Sequence, residues 1–296
     1  MNAGRPLEIG PLRFSMLRAG FDDNPDGEVV LCLHGFPDNA NTFRKQLPAF
    51  AEAGYRVVAP TLRGYEPSSL DPDADYSLGT LGRDVIAWLD DLGAERAHLV
   101  GHDWGAAIAY VAGALAPERF ASLTTIAVPH AARLDEGIRR VPRQFLRSWY
   151  MVFFQLRGIA DYVVERDDWA LVRRLWRTWS PGYTLSDEQW ADLRDTFAAP
   201  GVKQAMLAYY RQNASPRAML GLTETEVDAP TTVPVRTLAI TGADDGCIDT
   251  RLYDIVFDDA DFPAGVRVER IAGVGHFAHL ERPDLVNRLI LDHLDH

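Results

Sequence analysis

The chain has 296 residues, of which 47% are hydrophobic and 24% are charged, and its formal net charge is −12. This length fits one large domain or a core domain with an inserted subdomain, and the composition is typical of a globular protein. The excess of acidic residues disfavours nucleic acid as a partner, because phosphate binding needs clustered lysine and arginine. It also disfavours docking on anionic membranes, and no apolar run in the sequence is long enough to span a bilayer.

Short apolar runs alternate with longer segments that have helical spacing, which predicts an α/β protein with a mostly parallel sheet flanked by helices. An initial segment, Leu7–Arg18, is expected to form a hairpin at the edge of the sheet. Buried strands are predicted, in chain order, at Val29–Leu33, Arg56–Ala59, Ala97–Val100, Leu123–Val128, Arg236–Thr241 and Val266–Ala272. Helices are predicted at Thr80–Leu92, Gly105–Ala116 and Pro283–Leu294.

The alternation of strands and helices stops between about His130 and Ala229. This stretch contains five of the seven tryptophans, has no segment with a strand pattern, and breaks its helical segments with proline and glycine, Pro216 among them. We therefore predict a helical lid, residues 131–229, inserted into a core that residues 1–130 and 230–296 form.

The segment Gly101-His102-Asp103-Trp104-Gly105 follows a buried strand and leads into a helix of small residues. This is the layout of a nucleophile elbow, with aspartate where serine is more usual. The two glycines leave room for the backbone at a sharp turn, and the start of the helix favours a negative charge. Taken alone, the segment is equally compatible with a tight turn in which the aspartate caps the helix.

Two further strand ends carry groups that can work with Asp103. A pair of acids, Asp244 and Asp245, follows one predicted strand, and His276 follows the next. The order nucleophile, acid and histidine is that of α/β-hydrolase triads, and the carboxyl ends of parallel strands converge at one edge of a sheet. Spacing alone leaves open whether Asp244 or Asp245 is the acid.

His276 also takes part in two patterns that point to other chemistry. Together with His279 it has the spacing of a zinc motif, but no cysteine or acidic cluster nearby completes a metal site. The segment from Gly273 to Ala278 fits a dinucleotide fingerprint, yet too few residues follow it for the rest of a βαβ unit. We therefore predict neither a metal nor an organic cofactor, and we expect His279 to be a packed or capping histidine.

A loop with the sequence His34-Gly35-Phe36-Pro37 follows the first buried strand. Together with the elbow and Gly275-His276-Phe277, this loop resembles the epoxide hydrolases of the α/β-hydrolase superfamily, and the resemblance covers almost the whole chain. Arg63-Gly64-Tyr65 is also similar to a segment of that family, although Glu66-Pro67 replaces its glycine, which puts the shape of this loop in doubt.

The resemblance implies an α/β-hydrolase fold and the hydrolysis of a small-molecule epoxide, with water as co-substrate and no cofactor. It favours Asp245 as the acid beside His276. It also implies a cis Phe36–Pro37 peptide and an oxyanion hole made by the backbone N–H groups of Phe36 and Trp104.

In the lid, the resemblance implies that two tyrosines act as acids toward the epoxide oxygen. Tyr150 lies in the first lid motif and Tyr210 in the second, where the tyrosine before the arginine is the one that acts. Tyr209 is expected to be structural.

Other functions stay open at this point. A haloalkane dehalogenase shares the aspartate nucleophile but needs two N–H donors for the halide. Trp104 could supply one, whereas Phe36 stands where the usual second donor, an asparagine, would be. A fluoroacetate dehalogenase would have arginine in place of Trp104, and a serine esterase would need a hydroxyl at Asp103. A non-catalytic ligand receptor on the same scaffold is the remaining alternative.

Residues 1–10 lack the basic and apolar regions of a secretory signal, and the low cysteine content suits a reducing compartment, so we predict a cytoplasmic protein. Whether copies associate into a homo-oligomer, and which epoxide is the natural substrate, are questions that the sequence leaves open.

Overall fold

A computed structural model of the chain describes residues 2–215 and 230–295. Its strands are β1 (Asn2–Ala3), β2 (Leu7–Ile9), β3 (Leu12–Phe14), β4 (Met16–Ala19), β5 (Val29–Leu33), β6 (Arg56–Pro60), β7 (Ala97–His102), β8 (Phe120–Ile126), β9 (Thr237–Gly242) and β10 (Val266–Ile271). Eight of these strands form one sheet in the order β1-β4-β6-β5-β7-β8-β9-β10. The neighbours from β6 to β10 pair in parallel, whereas β4 and β1 add an antiparallel edge.

Helices follow most strands and cover both faces of the sheet. Their bounds are α1 (Gln46–Glu52), α2 (Leu78–Asp91), α3 (Trp104–Leu115), α4 (Leu134–Arg140), α5 (Pro142–Arg147), α6 (Trp149–Phe154), α7 (Ile159–Trp179), α8 (Asp187–Ala198), α9 (Val202–Asn213), α10 (Ala278–Glu281) and α11 (Pro283–Leu294). Val30 of β5 belongs to the apolar cluster under α1 and α11, and the next residue, Leu31, belongs to the cluster under α2 and α3. Burial on both faces explains why the central strands read as continuous apolar runs.

The predicted strands and helices of the core are all present, and the predicted α/β class is confirmed. The largest difference between a predicted and an observed strand concerns β8, which begins at Phe120 and ends at Ile126. It ends there because Ala127 has a positive φ of 67° and turns the chain away from the sheet. The expected hairpin is only partly right. Strands β2 and β3 do form a hairpin, but it is a separate two-stranded sheet, and β4 is the segment that joins the main sheet. Ser15, between β3 and β4, donates its backbone N–H to the Glu66 carboxylate instead of a neighbouring strand.

The segment between β8 and β9 contributes α4–α9 and no strand among its described residues. These helices lie against loops at the carboxyl ends of the parallel strands. The indole N–H of Trp176 donates to the carbonyl of Pro37 after β5, and the Tyr209 hydroxyl donates to the carbonyl of Arg63 after β6. Helix α7 is interrupted at residues 166–169, where three consecutive residues have positive φ. The last part of the predicted lid, residues 216–229 with Pro216, lies outside the described residues.

Within the described ranges, no helix combines the length and the apolar character that crossing a membrane requires.

Candidate active site

Asp103 occupies the turn between β7 and α3. It is buried, and its backbone has the unusual angles φ 52° and ψ −117°. A β-carbon on Gly101 would clash with the carbonyl of Gly105, and one on Gly105 would clash with the carbonyl of Leu33. The two glycines therefore allow the close approach of backbone that this strained turn needs, as expected for a nucleophile elbow.

A buried imidazole and a second buried carboxylate lie beside Asp103. The Nδ1 atom of His276 is 2.9 Å from Asp245 Oδ2, and its Nε2 atom is 3.4 Å from Asp103 Oδ2. The other oxygen of Asp245 accepts the backbone N–H groups of Cys247 and Ile248, at 2.7 and 2.9 Å. The carboxylate is thus held by three donors and turns the ring so that Nε2 faces Asp103. Because Asp244 is exposed and Asp245 is buried at the imidazole, the geometry favours Asp245 over its neighbour.

The two carboxylates control the protonation of His276. Burial alone would lower its pKa, but the charge of Asp245 and the approach of Asp103 outweigh that effect and raise the pKa from 6.5 to about 10. The imidazole is therefore protonated at neutral pH. Its pKa depends on the charge state of Asp103.

A backbone donor meets the first oxygen of Asp103, and a second backbone N–H lies nearby. The N–H of Phe36 donates to Asp103 Oδ1 over 2.7 Å. The Trp104 N–H opens α3, where helix geometry leaves backbone donors without intrahelical partners. A β-carbon placed on Gly35 would lie 2.5 Å from Asp103 Oδ1 and 2.6 Å from Trp104 N, so this glycine keeps the space between them open. The Phe36–Pro37 peptide is cis, which confirms that expectation.

Tyr150 of α6 and Tyr210 of α9 both face the same cavity as Asp103. Their ring centroids are 5.6 Å apart, and both rings line a cavity of about 80 Å³ together with Asp103 and Trp104. The remaining lining is mostly apolar and comprises Leu78, Ala107, Val128, Ala131, Leu134, Met151, Asn213 and Ile248.

Both phenols are held in the protonated form. Burial raises the pKa of each well above its usual value, and the nearby charge of Asp103 raises both further. The Tyr150 hydroxyl lies 3.4 Å from the sulfur of Cys247. The Tyr210 hydroxyl forms no hydrogen bond of normal geometry among the described residues, although the nearby Trp104 side chain opposes part of the rise in its pKa. A buried hydroxyl without a partner beside a cavity is placed to donate to a ligand oxygen. Tyr209, by contrast, is hydrogen-bonded to Arg63 and lies outside the cavity lining.

The end of α7 connects the acid loop to the histidine loop. The carbonyl of Trp179 accepts the N–H of Gly246 over 3.1 Å and the N–H of His276 over 3.0 Å. Its indole ring also lies 5.0 Å from both the His276 and the Tyr150 rings, measured between centroids. The sequence contains no signal for a backbone carbonyl that bridges two distant loops. The sequence likewise gives no indication that Cys247 lies beside the Tyr150 hydroxyl.

His276 and His279 point to different partners, so the zinc spacing has no structural counterpart. His279 lies 2.6 Å from the hydroxyl of Thr42 and stacks on Phe43, as expected for a packed histidine. Among residues 4–215 and 230–295, no group of three or more His, Cys, Asp or Glu side chains is arranged to hold a metal.

Comparison with known proteins agrees with this architecture. The family model described as alpha/beta hydrolase fold matches residues 28–283, and the chain belongs to the α/β-hydrolase fold family. The AB hydrolase superfamily protein YfhM of Bacillus subtilis is 29% identical over 270 residues, which cover 91% of each chain. Epoxide hydrolase 4 of Homo sapiens is 31% identical over 287 residues, covering 94% of this chain and 75% of that protein. Within the family, the chain therefore falls among the epoxide hydrolases.

A solved structure is similar over the whole length. The crystal structure of Bacillus megaterium epoxide hydrolase in complex with an inhibitor superposes with a TM-score of 0.84 and covers 100% of both chains. At 24% sequence identity this likeness supports the fold.

Proposed function

We propose that the protein hydrolyses an epoxide to a vicinal diol through a covalent ester on Asp103. The observation that carries this proposal is the convergence of one carboxylate, one histidine–acid pair and two protonated phenols on a single, mostly apolar cavity. The names of the chain's relatives agree with this reaction class. A small, mostly apolar cavity with few polar groups suits a compact, weakly polar substrate.

In the first step, Asp103 attacks a ring carbon. Its Oδ1 is held by the Phe36 N–H, so the attacking oxygen is Oδ2, which lies 3.4 Å from His276 Nε2. The ring C–O bond breaks as the Oδ2–C bond forms, and the departing oxygen takes a proton from Tyr150 or Tyr210. An alkoxide is costly to release without such a proton, and phenols that stay protonated at neutral pH can supply it.

Ester formation then turns His276 into a base. Once Asp103 is esterified its negative charge is gone, so one cause of the raised imidazole pKa disappears. The proton that His276 releases replaces the one that the phenol lost. Neutral His276, oriented by Asp245, can then remove a proton from water.

In the second step, hydroxide adds to the carbonyl carbon of the ester and negative charge develops on Oδ1. In this proposal the Phe36 and Trp104 N–H groups stabilise that charge, and losing one such donor typically costs about 3 kcal/mol of transition-state stabilisation. Collapse of the adduct expels the diol oxygen, which takes the remaining proton from the Asp103 carboxyl. The carboxylate, the protonated His276 and both phenols are then restored.

Intact-mass spectrometry tests the covalent step. In His276→Gln the ester should form but persist, so incubation with styrene oxide should add the mass of one substrate molecule. The matched control is the double variant Asp103→Ala/His276→Gln, which should gain no mass. An unmodified His276→Gln, under conditions in which the wild type releases diol, would contradict the ester mechanism.

A haloalkane dehalogenase is the second candidate. The observation that favours it is Trp104, which borders the cavity beside Tyr210 and whose indole N–H forms no hydrogen bond of normal geometry among the described residues. Two tyrosine hydroxyls suit an epoxide oxygen better than a halide. Diol release from styrene oxide, compared with bromide release from bromobutane, separates the two activities, and the absence of both would favour a non-catalytic ligand receptor.

We also propose that α4–α9 act as a lid over the core, with the lid at residues 131–229 and the core at residues 1–130 and 230–296. Both cysteines, Cys32 and Cys247, are buried and unpaired. Free thiols agree with a reducing compartment, and we propose a cytoplasmic location for the protein.

A further inference from the structure

The exposed apolar side chains of the molecule are concentrated on the outer side of α5–α7. Large hydrophobic residues that are exposed among the described residues all fall between positions 146 and 162. They are Leu146, Trp149, Leu156, Ile159 and Tyr162, with exposed fractions of 72%, 43%, 49%, 59% and 59%. Isolated exposed apolar residues are ordinary, but a concentration of them marks an interaction site.

We call these residues, together with the half-buried Phe153, the α5–α7 surface (Leu146, Trp149, Phe153, Leu156 and Ile159). They lie on α5, on α6, in the turn after α6 and at the start of α7. The Trp149 and Phe153 rings are in contact, with centroids 6.1 Å apart. The opposite side of α6 carries Tyr150 and Met151 into the cavity, so this helix is both cavity wall and outer surface.

The segment that carries most of the α5–α7 surface is basic, whereas the chain as a whole is acidic. Residues 137–160 contain five arginines and no aspartate, glutamate or lysine, in a chain whose net charge is −12. Arg139 and Arg140 pair with acids one turn earlier on α4. Arg143 and Arg157 are exposed, and neither side chain has a hydrogen-bond or ion-pair partner among the described residues.

We propose that the α5–α7 surface docks the protein onto an anionic lipid bilayer. Tryptophan favours the membrane–water interface, leucine and isoleucine can enter the acyl boundary, and arginine keeps its charged end at the level of the lipid phosphates. The net charge of the chain predicts no attraction to such a membrane, but the uneven distribution of charge reverses that expectation at this one surface. This association is peripheral and needs no membrane-spanning helix.

A second copy of the chain fits this surface less well. In a two-fold dimer the same patch faces itself, which would set Arg143 and Arg157 of one copy against Arg143 and Arg157 of the other. An anionic lipid surface instead offers opposite charge to both arginines. If the proposed epoxide hydrolysis also holds, docking would bring the cavity beside α6 close to epoxides dissolved in the bilayer.

Co-sedimentation with vesicles tests the docking. The full-length protein is mixed with phosphatidylcholine vesicles, with or without phosphatidylglycerol, and the bound fraction is measured at increasing salt. We expect binding to the anionic vesicles that weakens as salt rises. Arg143→Glu/Arg157→Glu should lower the partition coefficient by at least about 30-fold, since each arginine near an anionic surface is worth about 1 kcal/mol.

Two further variants test whether binding depends on this surface or only on the net charge of the protein. Arg267→Glu/Arg288→Glu makes the same change of net charge at exposed arginines of β10 and α11, and its binding should match the wild type. Leu146→Gln/Ile159→Gln keeps the charge and should weaken binding through lost apolar burial alone. Equal loss in both charge-reversed variants, or no sedimentation of the wild type, would overturn the proposal, as would a stable dimer in light scattering that the Arg143→Glu/Arg157→Glu variant abolishes.

Diol release from styrene oxide, measured on the same samples without vesicles, keeps the two proposals apart. Arginine and apolar variants of the surface should retain wild-type rates. Intact activity without vesicle binding would reject only the docking, whereas vesicle binding without any activity would reject only the proposed function.

Discussion

Replacing Asp103 by asparagine should lower the pKa of His276 by several units. The Nε2 atom of His276 lies 3.4 Å from Asp103 Oδ2, and its pKa is raised to about 10 in part by that carboxylate. Asparagine keeps the shape of the side chain, and its amide oxygen can still accept the Phe36 N–H, but it carries no charge. The variant therefore imitates the electrostatics of the proposed ester intermediate without any substrate.

The size of the effect follows from Coulomb's law. Two unit charges 3.4 Å apart interact by about 5 kcal/mol at an effective dielectric constant of about 20. At about 1.4 kcal/mol per pKa unit, the loss of Asp103's charge lowers the pKa by roughly three to four units. The imidazole would then titrate near neutrality, where a general base is most effective.

NMR titration of the imidazole resonances measures this shift. The His276 signal is assigned by its absence from His276→Gln, and its midpoint is compared between wild type and Asp103→Asn. As a control, Asp244→Asn removes the exposed neighbouring acid and should leave the midpoint unchanged. A midpoint near 10 in Asp103→Asn would refute the idea that the charge of Asp103 raises the pKa of His276.

Three other outcomes are expected. Tyr150→Phe and Tyr210→Phe should each lower kcat for diol release by about 100-fold or more. Thermal unfolding should show that Tyr210→Phe is no less stable, because its buried hydroxyl forms no hydrogen bond of normal geometry among the described residues. Gly246→Ala should lower the free energy of unfolding in urea by roughly 1–3 kcal/mol, because the added β-carbon clashes with the carbonyl of Thr178. His276 has a folded-state pKa of about 10 against 6.5 unfolded, so its stabilising contribution is complete below pH 6.5 and is lost as pH rises to about 10. The difference in unfolding free energy between wild type and His276→Gln should shrink over that interval by up to about 4–5 kcal/mol.

The sequence predicts the core of the fold well because the central strands are buried on both faces. Val29–Leu33 is predicted residue for residue, since each of its side chains is apolar and inaccessible. The start of β8 is less predictable, because pairing with β7 extends it back to Phe120. The sequence pattern does not separate the edge strand β4 from the preceding hairpin, because the turn at Ser15 depends on the Glu66 carboxylate far along the chain.

Some parts of the candidate site can also be predicted from the sequence, whereas others cannot. The segments around Asp103 and His276 are recognisable because their glycines and strand ends are local features. The choice of Asp245 over Asp244 is not local, since it depends on which carboxylate turns inward to the imidazole. The carbonyl of Trp179 carries no sequence signal at all, because every residue type has a backbone carbonyl.

The contacts of α7 fix one end of the proposed lid to the core. This end is joined to the loops of Asp245 and His276 by the two hydrogen bonds to the Trp179 carbonyl and by a third, 2.9 Å long, from the Phe277 N–H to the Ser180 hydroxyl. At about 1 kcal/mol for each hydrogen bond, detaching this end would cost about 3 kcal/mol and would release the loop of His276 as well. Opening of the cavity at this end would therefore displace His276.

The two tyrosines belong to a unit that is tied together within the inserted helices. The Gln155 side chain, just after α6, donates to the carbonyls of Tyr210 and Ala214, at 2.9 and 3.0 Å. Arg211 of α9 donates to the carbonyl of Phe154, at 2.9 Å. Helix α9 is also fixed to the core, because the Tyr209 hydroxyl donates to the Arg63 carbonyl and the Asn213 side chain donates to the Tyr76 carbonyl and accepts the Leu78 N–H. The spacing of the two phenols is therefore set before a substrate binds, and in the proposed reaction they meet the epoxide oxygen as one preformed site.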